Sequence, residues 1–444
     1  MSYNRPSTPR VYMDRLSFDI ANGFRTISNY TIIQDDGSTA VTFDGGQIED
    51  LFDLRPINYA QIAHDTKKFH VQIDTGLSSD TIAEANFLAI LGHNMEEASA
   101  MFRVVHDDSS TMASANSVTA STAVTGLINA AQSTVTVDSA ANMAEELDNS
   151  ETDLTVTNGA LFVNHIGGII KVDSEKMLLK SRSSNVLTVT RGVHGTTAAT
   201  HGEGNEDIYF DYSDCIQPAN NGWTLITWAN NNSDNQYYRI EFLDNAGAAS
   251  NFASDLKIGS IVLGEYIDFS SSPDLSIGFN IDYDGTNIVT SAGGSTFANT
   301  SHLGSPGWSK TNPWALAASA TENQTTTLSR HYGRRKYNMN FSYVADTDLF
   351  LSNMHSASGA MVDGSDLYSQ FYHKSLGSHL PFLFTIDKDS TDEGDYGLYR
   401  LADGGLKSTQ TANRFWNVGL NLVEHWKYDY LSQICPLKAF LFLF

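Results

Sequence analysis

Residues 237–243 read YYRIEFL and residues 258–266 read IGSIVLGEY. In the first run Tyr238, Ile240 and Phe242 alternate with Arg239 and Glu241, the period of two that puts successive side chains on opposite faces of a strand. Outward from this pair, short strand-like runs recur at 69–74 (FHVQID), 276–283 (SIGFNIDY), 337–343 (YNMNFSY) and 416–422 (WNVGLNL), punctuated by Gly, Asn, Asp and Ser. Many short strands with turn residues between them predict β-sandwiches or small barrels. Helical periodicity is scarce: residues 80–91 (DTIAEANFLAIL) and, more weakly, 141–147 (ANMAEEL) are expected to be helical. The expected fold class is mainly β and multi-domain.

The 444 residues leave room for two or three domains of the usual ~150-residue size. A tract of small residues at 109–121 (SSTMASANSVTAS) lacks bulky apolar anchors and marks a boundary. Beyond it lies a series of short β patterns, at 133–137, 153–156, 168–172, 176–179 and 186–190, which predicts a small β module inserted at 116–206. The aromatic strand pattern of 101–105 (MFRVV) resumes at 208–212 (IYFDY), so 43–115 and 207–270 pair as two halves of one β-sandwich. Such an insertion costs little when the ends of the host loop lie close together. Residues 1–42 are expected to pack with a C-terminal β domain, 271–444, that takes part in assembly.

Charge narrows the partners. With 27 Lys and Arg against 51 Asp and Glu the net charge is -24, a potential that repels phosphate backbones and anionic headgroups. Nucleic acid and membrane surfaces are therefore poor partner candidates. The acid is scattered through turn-like stretches such as 387–395 (DKDSTDEGD), which favours solubility. Cys215 and Cys435 are far apart and without metal-ligand spacing, so free thiols are expected, with no zinc site. The first residues lack a basic-then-apolar signal pattern, and no apolar run reaches the ~18 residues of a membrane helix, so folding in the cytoplasm where the chain is made is expected. The apolar end at 438–444 (KAFLFLF) is too short to span and is expected to pack against protein.

Three stretches converge on one class. Leu91-Gly92-His93-Asn94, then 101–105, 236–241 (QYYRIE) and 256–266 (LKIGSIVLGEY), resemble in order the galactose-binding-like jelly roll of phage tail proteins. Within the insert, 173–176 (DSEK) followed by 187–201 (LTVTRGVHGTTAATH) is similar to a small β module recurrent in phage virion proteins. The stretches 334–343, 371–384 and 416–426 look like distal tail or tail-tip adaptor proteins. The resemblance covers most of residues 43–430 and contains no diagnostic catalytic motif. It implies a non-enzymatic virion subunit that forms a ring with copies of itself and joins the tail tube to hub or fibres. The alternative is a receptor-binding or fibre protein that recognises host glycans; a further one is a tail-associated glycosidase.

Each candidate residue has a plainer reading beside the functional one. Trp308 and Trp314, in the irregular stretch 305–315, are subunit-contact anchors or core residues of their own domain. Arg334, Arg335 and Lys336 form a basic cluster suited to an acidic patch on a neighbouring subunit, or a solvated turn. His93 and Asn94 sit just past the predicted helix, in a loop region that can face a ligand in the resembling jelly rolls, which implies a sugar contact; the plainer reading makes Gly92 and Asn94 helix-cap or turn residues. Trp223 and Trp228 are sugar platforms if exposed, yet their neighbours in WTLITW suggest a buried strand. Asn280, Asp282 and Asp284 with Gly285 match the opening of a calcium loop, but Ser291 stands where the closing Glu belongs and Asp284-Gly285 is also a hairpin signal. The 13 dispersed histidines read as surface or turn residues. No nucleotide-binding or hydrolase motif occurs, and no cofactor is expected.

Overall fold

The computed structural model describes residues 7–34, 41–56, 58–65, 68–76, 85–112, 115–124, 126–128, 135–136, 142–166, 168–202, 206–229, 235–244, 252–282, 286–300, 334–350 and 366–425. The protein is mainly β, built from several antiparallel sheets. One ten-stranded sheet runs through much of it, in the order Gly278–Asp282, Arg334–Ala345, Phe415–Glu424, Tyr396–Ala412, Phe382–Thr385, Arg10–Asp14, Ser260–Asp268, Phe87–His93, Gly222–Trp228 and Ala120–Val124. Strand Arg10–Asp14 is its joint, pairing with Phe382–Thr385 on one side and Ser260–Asp268 on the other. The other N-terminal strand, Tyr30–Gln34, pairs with Phe69–Asp74 in a second sheet, so the N-terminal arm is shared between the sandwich and the C-terminal unit.

The second sheet orders Gly126–Ile128, Ile216–Pro218, Ala100–Asp107, Tyr237–Asp244, Phe69–Asp74 and Tyr30–Gln34. Period-two alternation fills the space between the two sheets: Leu88, Ile90, Ile226, Ile261 and Leu263 from the first meet Phe69, Val71, Phe102, Val104, Ile240 and Phe242 from the second. The opposite face of the same long-sheet strands is buried too, with Phe87, Ala89, Leu91, Trp223, Leu225 and Val262 packed beside Tyr12, Tyr396 and Leu398. A strand covered on both faces loses the apolar–polar alternation that would identify it.

That double burial corrects the helix expected at 80–91. Phe87 to Leu91 is strand, every residue of Phe87–His93 being buried, and a short continuous apolar run cannot be told from a buried helix by periodicity. Residues 80–84 of that helix lie outside the described residues. The weaker helix at 141–147 is also corrected: Met143 and Leu147 make isolated β-bridges to Val156 and His201. The small-residue tract contributes Asn116–Ser117 and, from its end, Ala120–Val124 to the sandwich sheets, while Ile208–Phe210 joins the module's own sheet. The module therefore starts later and ends later than 116–206, because short small-residue segments suffice as edge strands.

The inserted module is a six-stranded sheet ordered Val135–Thr136, Ile208–Phe210, Ile169–Val172, Glu175–Ser183, Val186–Thr190 and Asp153–Thr155. Its core of Met143, Leu154, Phe162, Ile170, Met177 and Leu187 is continuous with Met101 and Leu243 from the sandwich, which fixes the module to that sheet's outer face. The C-terminal unit has its own core around Phe341, Phe371, Phe382, Tyr399 and Leu420.

Candidate functional site

Residues from the module's recognisable stretches converge on one carboxylate. Val172 pairs with Glu175, leaving Asp173-Ser174 as a two-residue turn with Asp173 at φ 51°, and Glu175 emerges from it fully buried. Arg191 grips it with both branches, Nε to Oε1 and Nη2 to Oε2, each at 2.7 Å. The remaining Arg191 donors go to the carbonyls of Asp148, Glu151 and Ala199, so all five of its N–H groups are satisfied. The amides of Gly192 and Ala199 donate to the same carboxylate. Burial pushes the Glu175 carboxyl up, but these donors outweigh it and hold it below the usual range. Gly192, at φ 64°, is required here: a Cβ would stand 2.9 Å from the Ala198 nitrogen. Together these contacts clasp the loop from 191 to 201 onto the sheet.

His201 completes the clasp. A reciprocal backbone bridge to Leu147 fixes its main chain, and its Nε2 lies 2.9 Å from Glu175 Oε2. On the other side of the ring, Nδ1 faces Asp173 Oδ2 at 3.0 Å and Glu206 Oε2 at 3.6 Å. His201 is 2% exposed, so it is neither a surface nor a turn histidine. His70 and His93 are buried as well.

Beneath the module, Arg103 and Glu241 pair across neighbouring strands of the sandwich with both side chains inaccessible. Glu241 stays below its usual range because the Arg103 guanidinium overcomes the burial that would raise it. Burial pushes the nearby Cys215 thiol up to about 12, which leaves it protonated and unreactive. Cys435 lies outside the described residues.

The residues singled out from sequence fare differently. His93 is fully buried: its Nδ1 accepts from the Met95 amide and its Nε2 lies 3.0 Å from Thr224 Oγ1, so no sugar reaches it. Asn94 is buried and exchanges hydrogen bonds with Asp255 O and Lys257 N, securing strand Leu256–Ile258. Gly92 is not a helix cap but the extra residue of a β-bulge, at φ 68°. Trp223 and Trp228 are also buried, at 2% and 6% exposure, which corrects the glycan-platform reading.

Arg335 is corrected as a subunit contact. It is buried against Glu424, donating from Nη2 at 2.7 Å, and its other branch reaches the carbonyl of Gly394. Lys336 is half-buried and pairs with Asp282, which neutralises the carboxylate that a calcium loop would use; Asn280 Nδ2 donates to the same Asp282. Arg334 opens the strand next to them, at a partly exposed position. Asp284, Trp308 and Trp314 lie outside the described residues.

A feature that sequence reasoning missed lies at the end of the long sheet. Edge strand Gly278–Asp282 has one partner, Arg334–Ala345, among the described residues, and carries the exposed Phe279. A two-stranded hairpin, Thr286–Thr290 with Thr296–Thr300, follows it and pairs with no further strand among them. Ile288 and Val289 are 63% and 56% exposed although adjacent strand residues point to opposite faces, and Phe297, opposite Val289, is 63% exposed. Both faces of this hairpin therefore present apolar side chains to solvent. The signal available in sequence was the adjacent apolar pair Ile288-Val289 between turn-like Gly and Asn stretches.

Among the described residues no helix is long and apolar enough to cross a membrane. Comparison with protein-family models, with curated proteins and with solved structures finds no match to this chain.

Proposed function

We propose that this protein is a structural, non-catalytic subunit of a tailed-phage virion, acting at the tail tip or baseplate and assembling with copies of itself into a ring that joins the tail tube to hub or fibres. The observation that carries the reading is the uncovered hairpin Thr286–Thr300 beside an edge strand. A two-stranded hairpin is marginal alone in water, and apolar side chains on both its faces gain stability when another chain covers them. The neighbouring edge strand, which has one partner among the described residues, offers its other edge to the same neighbour. Elsewhere the net charge of -24 keeps the free subunit soluble until contact is made.

The glycan-binding alternative loses its four proposed contact residues, since His93, Asn94, Trp223 and Trp228 are all buried. Native mass spectrometry and negative-stain imaging of the full chain test assembly. A closed ring of about six or twelve subunits is expected, because cyclic interfaces close only at a fixed rotation. Replacing Ile288, Val289 and Phe297 with Asp should return it to monomers. A compact trimer favours a receptor-binding fibre, a persistent monomer overturns self-assembly, and a ring indifferent to the three substitutions removes the hairpin from the contact.

A further inference from the structure

We propose that Asp173, His201 and Glu206 form a binding site for a divalent cation of the zinc type, held by His201 Nδ1 and one oxygen from each carboxylate. The three ligand atoms lie within 4.8 Å of one another. They belong to a hairpin turn, to the end of the clasped loop and to the residue that leads into strand Ile208–Phe210.

The arrangement of donors and acceptors leaves a place for a cation here. Glu175 Oε2 already accepts from Arg191 Nη2 and the Ala199 amide and has no hydrogen to offer, so the nitrogen facing it, Nε2, must be the protonated one. In the neutral ring Nδ1 then bears a lone pair. That lone pair points at Asp173 Oδ2, 3.0 Å away, with Glu206 Oε2 at 3.6 Å. Three electron-rich atoms converging on one point repel unless something positive stands among them. Glu206 Oε2 is itself sealed from solvent and takes part in no hydrogen bond, while Oε1 of the same carboxylate accepts from the Gly202 amide at 2.8 Å and fixes its orientation.

Geometry and donor type select the ion. Donors about 2.0–2.1 Å from a tetrahedral zinc stand roughly 3.3 Å apart, between the two separations seen here. Asp173, exposed and on a turn, has room to close the third edge, and its open side leaves a fourth position for water. One imidazole and two carboxylates suit zinc, whereas calcium requires six to eight oxygens. Outside the ligands, the Nε2–H to Glu175 contact, with Glu175 locked by Arg191, is the carboxylate support that orients metal-binding histidines. A bound ion would tie the 173–174 turn to the segment that re-enters the sheet, closing the clasp on its exposed side.

The test uses the full chain, stripped with a chelator and dialysed against zinc at low-micromolar free concentration, with bound metal quantified and thermal unfolding followed. One zinc per chain is expected, with a raised unfolding midpoint for the module. Asp173→Asn and Glu206→Gln should each weaken binding at least tenfold. His201→Gln should abolish binding, but it disturbs a buried cluster, so Asp173→Asn, at an exposed position, is the deciding variant: without metal it should unfold at the wild-type midpoint, and zinc should then fail to raise it. Absence of stoichiometric zinc would mean that a proton on Nδ1 fills the gap and overturns the site; so would zinc binding that survives both acid substitutions.

Discussion

The clasp around Glu175 and the hairpin Thr286–Thr300 place charge and apolar surface in opposite ways. In the clasp a carboxylate and a guanidinium are taken out of water and every donor of Arg191 is met. In the hairpin, Ile288, Val289 and Phe297 are left in water. Buried ion pairs add little net stability over an apolar core of equal volume, but they penalise any arrangement that separates the partners. Exposed apolar side chains contribute little to their own subunit and gain most when another surface covers them. The contrast separates residues that fix the shape of the folded chain from apolar residues left facing solvent.

Breaking the inside half of this contrast should give the largest effects. Glu175→Ala leaves Arg191 and His201 without their central acceptor and is expected to cost about 3–5 kcal/mol, as is Arg335→Ala, which strands Glu424. Chemical denaturation followed by near-UV circular dichroism measures both; a loss below about 1 kcal/mol would mean that these pairs are not dry.

Acid should act on the inside next. Burial pushes the His93 imidazole down to about 3, against an ordinary value of 6.5, so as pH falls below 6.5 the unfolded chain takes up the proton first. Stability from this residue is intact above pH 6.5 and is lost progressively down to about pH 3, amounting to about 2 kcal/mol by pH 5. Urea midpoints measured from pH 8 to pH 5 should fall for the wild type and fall less steeply for His93→Asn; parallel slopes would contradict the assignment.

The sharpest version of the comparison uses neighbours on one strand. Lys336→Ala removes an ion pair whose side chains are 40% and 44% exposed and so screened by water, and should cost less than about 1 kcal/mol, beside the large loss at Arg335. Near-equal losses from the two, in the same denaturation assay, would erase the distinction. Smallest of all, the hairpin substitutions should change unfolding by within about 0.5 kcal/mol while changing the mass of the assembly.

The strands at 69–74 and 237–243 were legible because polar residues alternate with apolar ones along them, even where the module covers the outer face and buries Glu241. Phe87–His93 was not: with both faces covered its apolar run is continuous, and the helix read there has no counterpart in the sheet. The clasp was legible as a set of residue types, Asp173, Glu175, Arg191 and His201 all lying in the module's recognisable stretches. Their roles were hidden, and Glu206 lies outside those stretches. Arg335 and Lys336 show the same limit, since an unbroken basic run carries no sign of which member turns inward.

Sequence by itself determined the β class and the net acidity, because alternation, turn residues and charge are local or additive properties. Tertiary structure alone decided that one sheet passes through Arg10–Asp14 to join the sandwich to the C-terminal unit, that the tryptophans and His93 are buried, and that Asp173, His201 and Glu206 meet. Burial and convergence depend on which distant strands pair and which faces they cover, and that is fixed only when the whole chain has packed.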